Sequence, residues 1–337
     1  LLRQGGFSFV VSTYQARKLV MARADGEVLN THLRPFDTPM GVAFDRGRLA
    51  IGTKIHVWEF HDQPAVARQL EPSGKHDACF LPRHAIVTGQ IGIHEIAWVG
   101  GELWAVNTNF SCLCSFDPNY SFVPRWRPKF VAALAPEDRC HMNGLGLRDG
   151  QPRYVTALGE TDSFSGWRAN KARGGCLIDV PSNEIISRGL SMPHSPRWYD
   201  GKLWVLESGA GSLATVDLAT GKLETVAVLP GFTRGLDFYG PLAFVGLSQV
   251  RESAMFSGIP ITERIPVEER RCGVWVVDTR SGQTMGFLHF TGGVQEVFAI
   301  QVLPMRFPDL LTDDHPGVEK AFVLPDDAMA DVSGPKA

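Results

Sequence analysis

The sequence repeats one short pattern. An apolar strand, a turn of two or three residues and a second apolar strand recur as GVAFDRGRLAIGT (41–53), EIAWVGGELWAVNT (95–108), GLGLRDGQPRYVTAL (144–158), SPRWYDGKLWVLES (195–208) and GLDFYGPLAFVGL (235–247). In LCSFDPN (113–119), LATVDLATGK (213–222) and VWVVDTRSGQ (274–283), a third strand ends in Asp and turns back into a fourth. Asp followed by Ser/Thr-Gly is hairpin chemistry, because glycine takes the positive φ that tight turns require. The 35 Gly and 22 Pro exceed what a helical chain would carry.

Four antiparallel strands recurring about every 50 residues are the signature of a β-propeller blade. First strands begin near Met40, His94, Asn143, His194, Arg234 and Glu296, which predicts an all-β, six-bladed propeller. The sixth first strand, VQEVFAIQVLP (294–304), has no later strands of its own. FSFVVST (7–13), ARKLVMARAD (16–25) and GEVLNTHL (26–33) supply them, so the last blade is stitched from both ends of the chain and the ring closes without exposed edges. The propeller is expected over 1–304 as a single domain. In the extension 305–337, MRFPDLL (305–311) is expected to pack on the propeller, and the end, from about Leu324, has the composition of a frayed terminus. A β-sandwich with a second domain would explain neither the spacing nor the split blade.

Composition narrows the function classes. With 20% charged and 44% hydrophobic residues and a net charge of -3, the chain is neither disordered nor a basic nucleic-acid binder. No apolar run approaches the ~18 to 20 residues of a membrane span, so a soluble protein without a membrane partner is expected. Six cysteines lack the spacing of a zinc knuckle or a redox pair, which suggests buried thiols in a reducing, cytoplasmic setting. No leader-like segment opens the sequence; its first residue is Leu1, so a processed start stays open.

Propellers hold ligands where their innermost strands begin. Counting four residues back from Phe44, Trp98, Leu147, Trp198, Phe238 and Ile300 gives an axial ring of Met40, His94, Asn143, His194, Arg234 and Glu296. Two imidazoles, an amide and a carboxylate (His94, His194, Asn143, Glu296) suit one divalent transition metal, Zn, Mn or Fe, with Cu a further option. Arg234 offers a fork for a substrate carboxylate or phosphate. The structural alternative is a polar channel that holds only ordered water. Proton-transfer candidates are His141, Glu95 and Glu160, with His84 in the entry loop 84–95. Loops after second strands bring Tyr14, Gln15, Asn107, Asn109, Asp162, Glu207, Arg251 and Glu252 to the same face. The long loops 159–175 and 248–272 are candidate lids, whereas the insertion 61–77 follows a third strand and belongs on the opposite face.

Asn143-Gly144-Leu145 resembles the N-G-L motif of the gluconolactonase, or senescence-marker, superfamily of six-bladed propellers. That resemblance implies a divalent cation at the axis and lactone hydrolysis. His94 and His194 stand where that family carries acids, which implies a softer transition metal. A second likeness is to propeller lyases that hold Mn²⁺ with several His and a Gln. The runs TGxxxIHEIAW, CHMNGLGL and MPHSPRWYDGKLW look like a bacterial conserved-hypothetical family, sometimes fused to tetratricopeptide repeats. The expected function is a metal-dependent enzyme acting on a small anionic substrate, first by hydrolysis of an ester or lactone. β-Elimination and metal-dependent oxidoreduction are the alternatives, and a ligand-binding or protein-interaction scaffold is the non-enzyme reading.

Overall fold

A computed structural model describes residues 1–250 and 256–332. Six sheets are arranged as blades around one axis. Blade I runs outward through Val42–Asp45, Arg48–Gly52, His56–Asp62 and Ala78–Val87. Blade II comprises Ile93–Val99, Glu102–Asn107, Cys112–Asp117 and Tyr120–Trp126. Blade III holds Met142–Arg148, Gln151–Ala157, Gly175–Asp179 and Glu184–Leu190. Blade IV is Pro193–Tyr199, Lys202–Glu207, Ser212–Val216 and Leu223–Val228. Blade V is Phe232–Tyr239, Leu242–Ser248, Gly273–Asp278 and Thr284–His289. Blade VI takes its innermost strand, Ala299–Leu303, from the C-terminal side and Ser8–Thr13, Lys18–Asp25 and Val28–Pro35 from the N-terminus. The split blade read from the repeat is therefore present.

Beyond Pro304, Pro308–Leu310 pairs in parallel with Ala78–Phe80 and becomes a fifth strand of blade I. Leu310 and Leu311 are fully buried there, and Arg34 of blade VI binds Asp309 at 3.1 Å. The insertion after His56–Asp62 carries a short helix, Pro64–Ala67. Its Val66 and Leu70 pack with Leu311, Val318 and Ala321 of the C-terminal segment.

The first strands lose register with their neighbours at the ring positions. Pairing shifts between Ile93 and Ile96, Met142 and Gly144, His194 and Arg197, and Thr233 and Leu236. Such bulges re-aim a side chain at the rim of a sheet. Glycines let neighbouring blades close in at the same level. A Cβ on Gly41 would lie 3.0 Å from the His94 carbonyl, and one on Gly235, whose φ is +81°, would lie 2.9 Å from the Ile300 nitrogen.

One level further along the axis, a polar belt ties the blades together. Arg197 of blade IV donates to Glu95 of blade II at 2.6 Å, to Leu145 O of blade III at 3.2 Å and to Leu236 O of blade V at 3.0 Å. The second carboxylate oxygen of Glu95 accepts the Leu145 N–H. Asp237 of blade V accepts the Val302 N–H and Gln301 Nε2 from blade VI, and Gln301 Oε1 accepts the Phe44 N–H of blade I. Burial raises the Asp237 carboxyl to about 6, against the hydrogen bonds from Val302 and Phe238.

Removing one partner of a buried ion pair strands the other charge, at a cost of about 3 to 5 kcal/mol. Arg197→Met should therefore lower stability by about that amount in chemical denaturation, and adding Glu95→Gln should restore part of the loss. A single variant as stable as the parent would show that the belt is not what locks the blades.

Candidate functional site

Above the belt, three histidines from neighbouring blades gather at the mouth of the axis. The His94 and His141 rings meet edge to face at 4.9 Å. His194 is 4% exposed and packs against Phe232 at 5.8 Å. Each Nδ1 is committed. His94 Nδ1 lies 2.7 Å from Thr108 Oγ1 and 3.3 Å from Gly92 O, and the Thr108 hydroxyl itself donates to Met142 O at 2.6 Å. His194 Nδ1 lies 2.9 Å from both Met192 O and Ser208 Oγ. His141 Nδ1 lies 2.9 and 3.0 Å from the two Asp138 oxygens. A carbonyl or carboxylate oxygen can only accept, so each neutral ring carries its proton on Nδ1 and its lone pair on Nε2.

Burial, joined by the neighbouring His141, Arg234 and His194, holds His94 well below the ordinary imidazole range. Burial and Arg234 do the same for His194. Asp138 fixes His141 from one side, while Trp167 packs on the imidazole at 4.5 Å and donates its indole N–H to the same carboxylate at 3.0 Å. Asp138, His141, Met192 and Ser195 all have left-handed φ, between +47° and +49°. Non-glycine residues in that region persist where the surroundings over-determine them, and they cluster at functional sites.

Arg234 and Glu296 complete the mouth. Arg234 Nη1 donates to Glu296 Oε1 at 3.0 Å, and the guanidinium lies 3.4 Å from the centre of the Phe298 ring. Burial lowers Arg234 to about 10, offset by Glu296, so it stays charged at neutral pH. Burial raises the Glu296 carboxyl, and Arg234 opposes that shift. Both residues line a cavity of about 160 Å³.

The two long loops roof the blade III to V side. Loop 159–175 contains the turn Gly166–Asn170 with buried Trp167, and the described part of 248–272 contains a short helix, Pro260–Arg264. Leu158, Trp167, Met192, Phe232, Ile259 and Ile261 form one apolar cluster between them. Arg251 and Glu252 lie outside the described residues.

Several residues singled out in the sequence sit elsewhere or are already engaged. Met40 is buried in the apolar core. Glu95 belongs to the belt, with one oxygen on Arg197 and the other on the Leu145 N–H. Glu160 forms a half-exposed pair with Arg188 at 2.9 Å, away from the ring. His84 lies on the outermost strand of blade I, two-thirds exposed beside Glu59, because that strand runs on to Val87 where an entry loop was expected.

The proposed metal ligands are not assembled as a set of four. Glu296 pairs with Arg234, and Asn143 Oδ1 accepts the Thr156 hydroxyl at 2.7 Å while its Nδ2 donor has no partner among the described residues. Among the described residues no group of three or more His, Cys, Asp or Glu is placed to hold a metal ion. Asp138, Trp167, Thr108, Ser208 and Phe298 were not anticipated; the one available signal was Asp138 three residues before His141.

The fold and the ring define a six-bladed β-propeller with a polar site at the mouth of its axis. The chain belongs to the family described as a domain of unknown function, DUF4915, whose profile matches residues 1–311. No curated protein matches the sequence. Among solved structures, it is similar to a chain of a nidogen/laminin complex, with a TM-score of 0.56 and 10% identity over 89% of this chain and 100% of that one. A protein of unknown function from Bacteroides caccae gives 0.54 and 10% over 88% and 99%. At that identity both likenesses concern the fold alone. No helix among the described residues is long and apolar enough to cross a membrane.

His94 and His194 carry a consequence for stability. Their folded pKa values lie below the unfolded value of ~6.5, so the unfolded chain takes up protons first as pH falls. Stability is then lost as pH drops below ~6.5. His32 and His76, also lowered by burial, act in the same direction. Melting temperatures should fall between pH 7.5 and 5.5, and fall less in a His94→Asn/His194→Asn variant. An equal fall in both proteins would show that these two imidazoles do not titrate with unfolding.

Proposed function

We propose that the protein is an enzyme that moves protons on a small, carboxylate-bearing substrate at the mouth of the propeller axis, with ester or lactone hydrolysis as its reaction. The observation that carries this reading is the trio of imidazoles whose Nδ1 atoms are all committed, leaving three Nε2 lone pairs beside a charged arginine. An aspartate–histidine pair is the usual arrangement for orienting a general base and stabilising the imidazolium it becomes.

In this reading His141 Nε2 takes a proton from water as the water oxygen bonds to the substrate carbonyl carbon. The resulting imidazolium, held by Asp138, returns that proton to the leaving alkoxide as the carbon–oxygen bond breaks. Arg234 holds the substrate carboxylate through the N–H groups not given to Glu296. Neutral His94 and His194 accept hydrogen bonds from substrate hydroxyls or water. The likeness to the gluconolactonase superfamily supports hydrolysis by analogy only. The same base would serve β-elimination, which is told apart by the ultraviolet absorbance of a conjugated product.

A panel of carboxylate-bearing lactones and aryl esters, followed by pH-stat, tests the reading. His141→Gln should lower kcat about 10² to 10⁴-fold, Asp138→Asn should lower it with a changed pH profile, and Arg234→Met should mainly raise KM. Turnover that survives His141→Gln intact would remove that residue from the role. No turnover across the panel in any protein would leave a binding propeller.

A second reading has its own observation. Histidines that bind metals through Nε2 donate Nδ1–H to a carbonyl or another acceptor, as His94 and His194 do. These two would supply two ligands to a divalent transition metal. Elemental analysis of untagged protein should then find about one equivalent of Zn, Mn, Fe or Cu that the His94→Ala/His194→Ala variant lacks. Equal metal content in the two proteins would end this reading.

A further inference from the structure

We propose that the cavity beside the ring takes a small zwitterion, an α-amino acid with an aliphatic side chain. This goes beyond the hydrolytic reading, since a free amino acid carries no ester or lactone bond; it rests on that reading only in taking Arg234 as the carboxylate anchor. The cavity holds about 160 Å³. An engineered cavity of about 150 Å³ in another protein admits benzene, so the space suits roughly six to nine non-hydrogen atoms, the range from alanine to leucine.

Its walls divide by chemistry. Phe232 and Phe256, whose rings meet at 5.4 Å, and Val250 supply its apolar lining, Arg234 and Glu296 bring opposite charges, and Gln15, Ser248, Gln249 and Gln295 add uncharged polar groups. The two charges touch through one atom each, Nη1 and Oε1, at 3.0 Å. No other described residue hydrogen-bonds either side chain, and their side chains are only 11% and 16% exposed. Each charge thus keeps donor or acceptor capacity beyond the contact between them. The guanidinium is held in place by its face on Phe298 at 3.4 Å.

A paired arginine and glutamate have no net charge. A bare carboxylate on the remaining guanidinium N–H groups shares the arginine with Glu296 and leaves one net negative charge beside a largely buried pair. A bare amine competes with Arg234 and leaves a positive one. A zwitterion sets its carboxylate against Arg234 and its ammonium against Glu296, and the site stays neutral. With both charges placed, the side chain falls to the Phe232 and Phe256 wall. The side-chain amides of the lining glutamines offer both donors and acceptors, so they accommodate either end.

Three probes separate the possibilities: L-leucine, 4-methylpentanoate, which lacks the amine, and 3-methylbutylamine, which lacks the carboxylate. Binding is measured by calorimetry, or by ligand-observed NMR where it is weak, at pH 7.5 on the full chain. Leucine should bind at least about tenfold more tightly than either singly charged analogue. Glu296→Gln should bring leucine to the level of 4-methylpentanoate without weakening 4-methylpentanoate, and a melting curve shows whether that variant is folded.

Equal affinity for leucine and 4-methylpentanoate would overturn the zwitterion and leave the carboxylate reading standing. A preference for leucine that persists in folded Glu296→Gln would overturn the role of Glu296 and the proposal with it. Tightest binding of the amine would overturn both readings. Absence of binding by all three, with turnover of carboxylate-bearing esters, would overturn the proposal alone; without such turnover, both readings fall.

Discussion

The contact between Arg197 and Glu95 is the tie on which the axial arrangement depends. Blades of a propeller bury apolar surface against their neighbours, and such packing is tolerant of small slides between sheets. The apolar clusters here bridge blades in this way: Val10 and Leu19 of blade VI pack with Leu49 and Ile51 of blade I and with Ile93 and Leu103 of blade II. Directional bonds remove that freedom. Arg197 reaches three other blades with one guanidinium, whose five donors in a rigid fork suit several acceptors at once. Asp237 and Gln301 continue the belt through blades V, VI and I.

That belt divides the axis into two levels with different chemistry. At the lower level Glu95 has both oxygens engaged, and the Arg197 charge is matched to it. The upper level is left incomplete. Among the described residues, Asn143 has a buried amide donor with no partner, three imidazoles keep free lone pairs, and Arg234 and Glu296 each hold capacity in reserve. Polar groups of this kind in a narrow channel are satisfied by ordered water or by a ligand. The bulged first strands produce this division, because each turns one side chain toward the mouth and hands the following residues back to the blade.

The repeat made the blades legible, and with them the ring, since the position of a side chain near the axis follows from its offset within a strand. The roles of those side chains were less legible. Glu95 carries the same carboxylate whether it transfers protons or ties blades, and its partner Arg197 lies 102 residues away. Glu160 and His84 were placed by loops whose true courses carry them outward, to Arg188 and to Glu59. Asp138 lies in a turn outside the repeat, so nothing in strand periodicity draws attention to it. The hydroxyls that set the tautomers, Thr108 and Ser208, follow directly on the second strands of blades II and IV in VNT and LES, where the repeat pattern marks only a strand edge.

Trp167 connects the roof to the chemistry. Its indole N–H and the His141 Nδ1 share the Asp138 carboxylate, and its ring packs against the imidazole. The same side chain is buried in the cluster that joins loop 159–175 to Ile259 and Ile261 of the neighbouring loop. Buried Arg270 in turn holds that second loop through Val250 O and Ile265 O. A shift of either loop would therefore move Trp167, and through the shared carboxylate it would alter the orientation of His141. Trp167 in this way ties the two long loops to Asp138 and His141, the pair on which the proposed proton transfer turns.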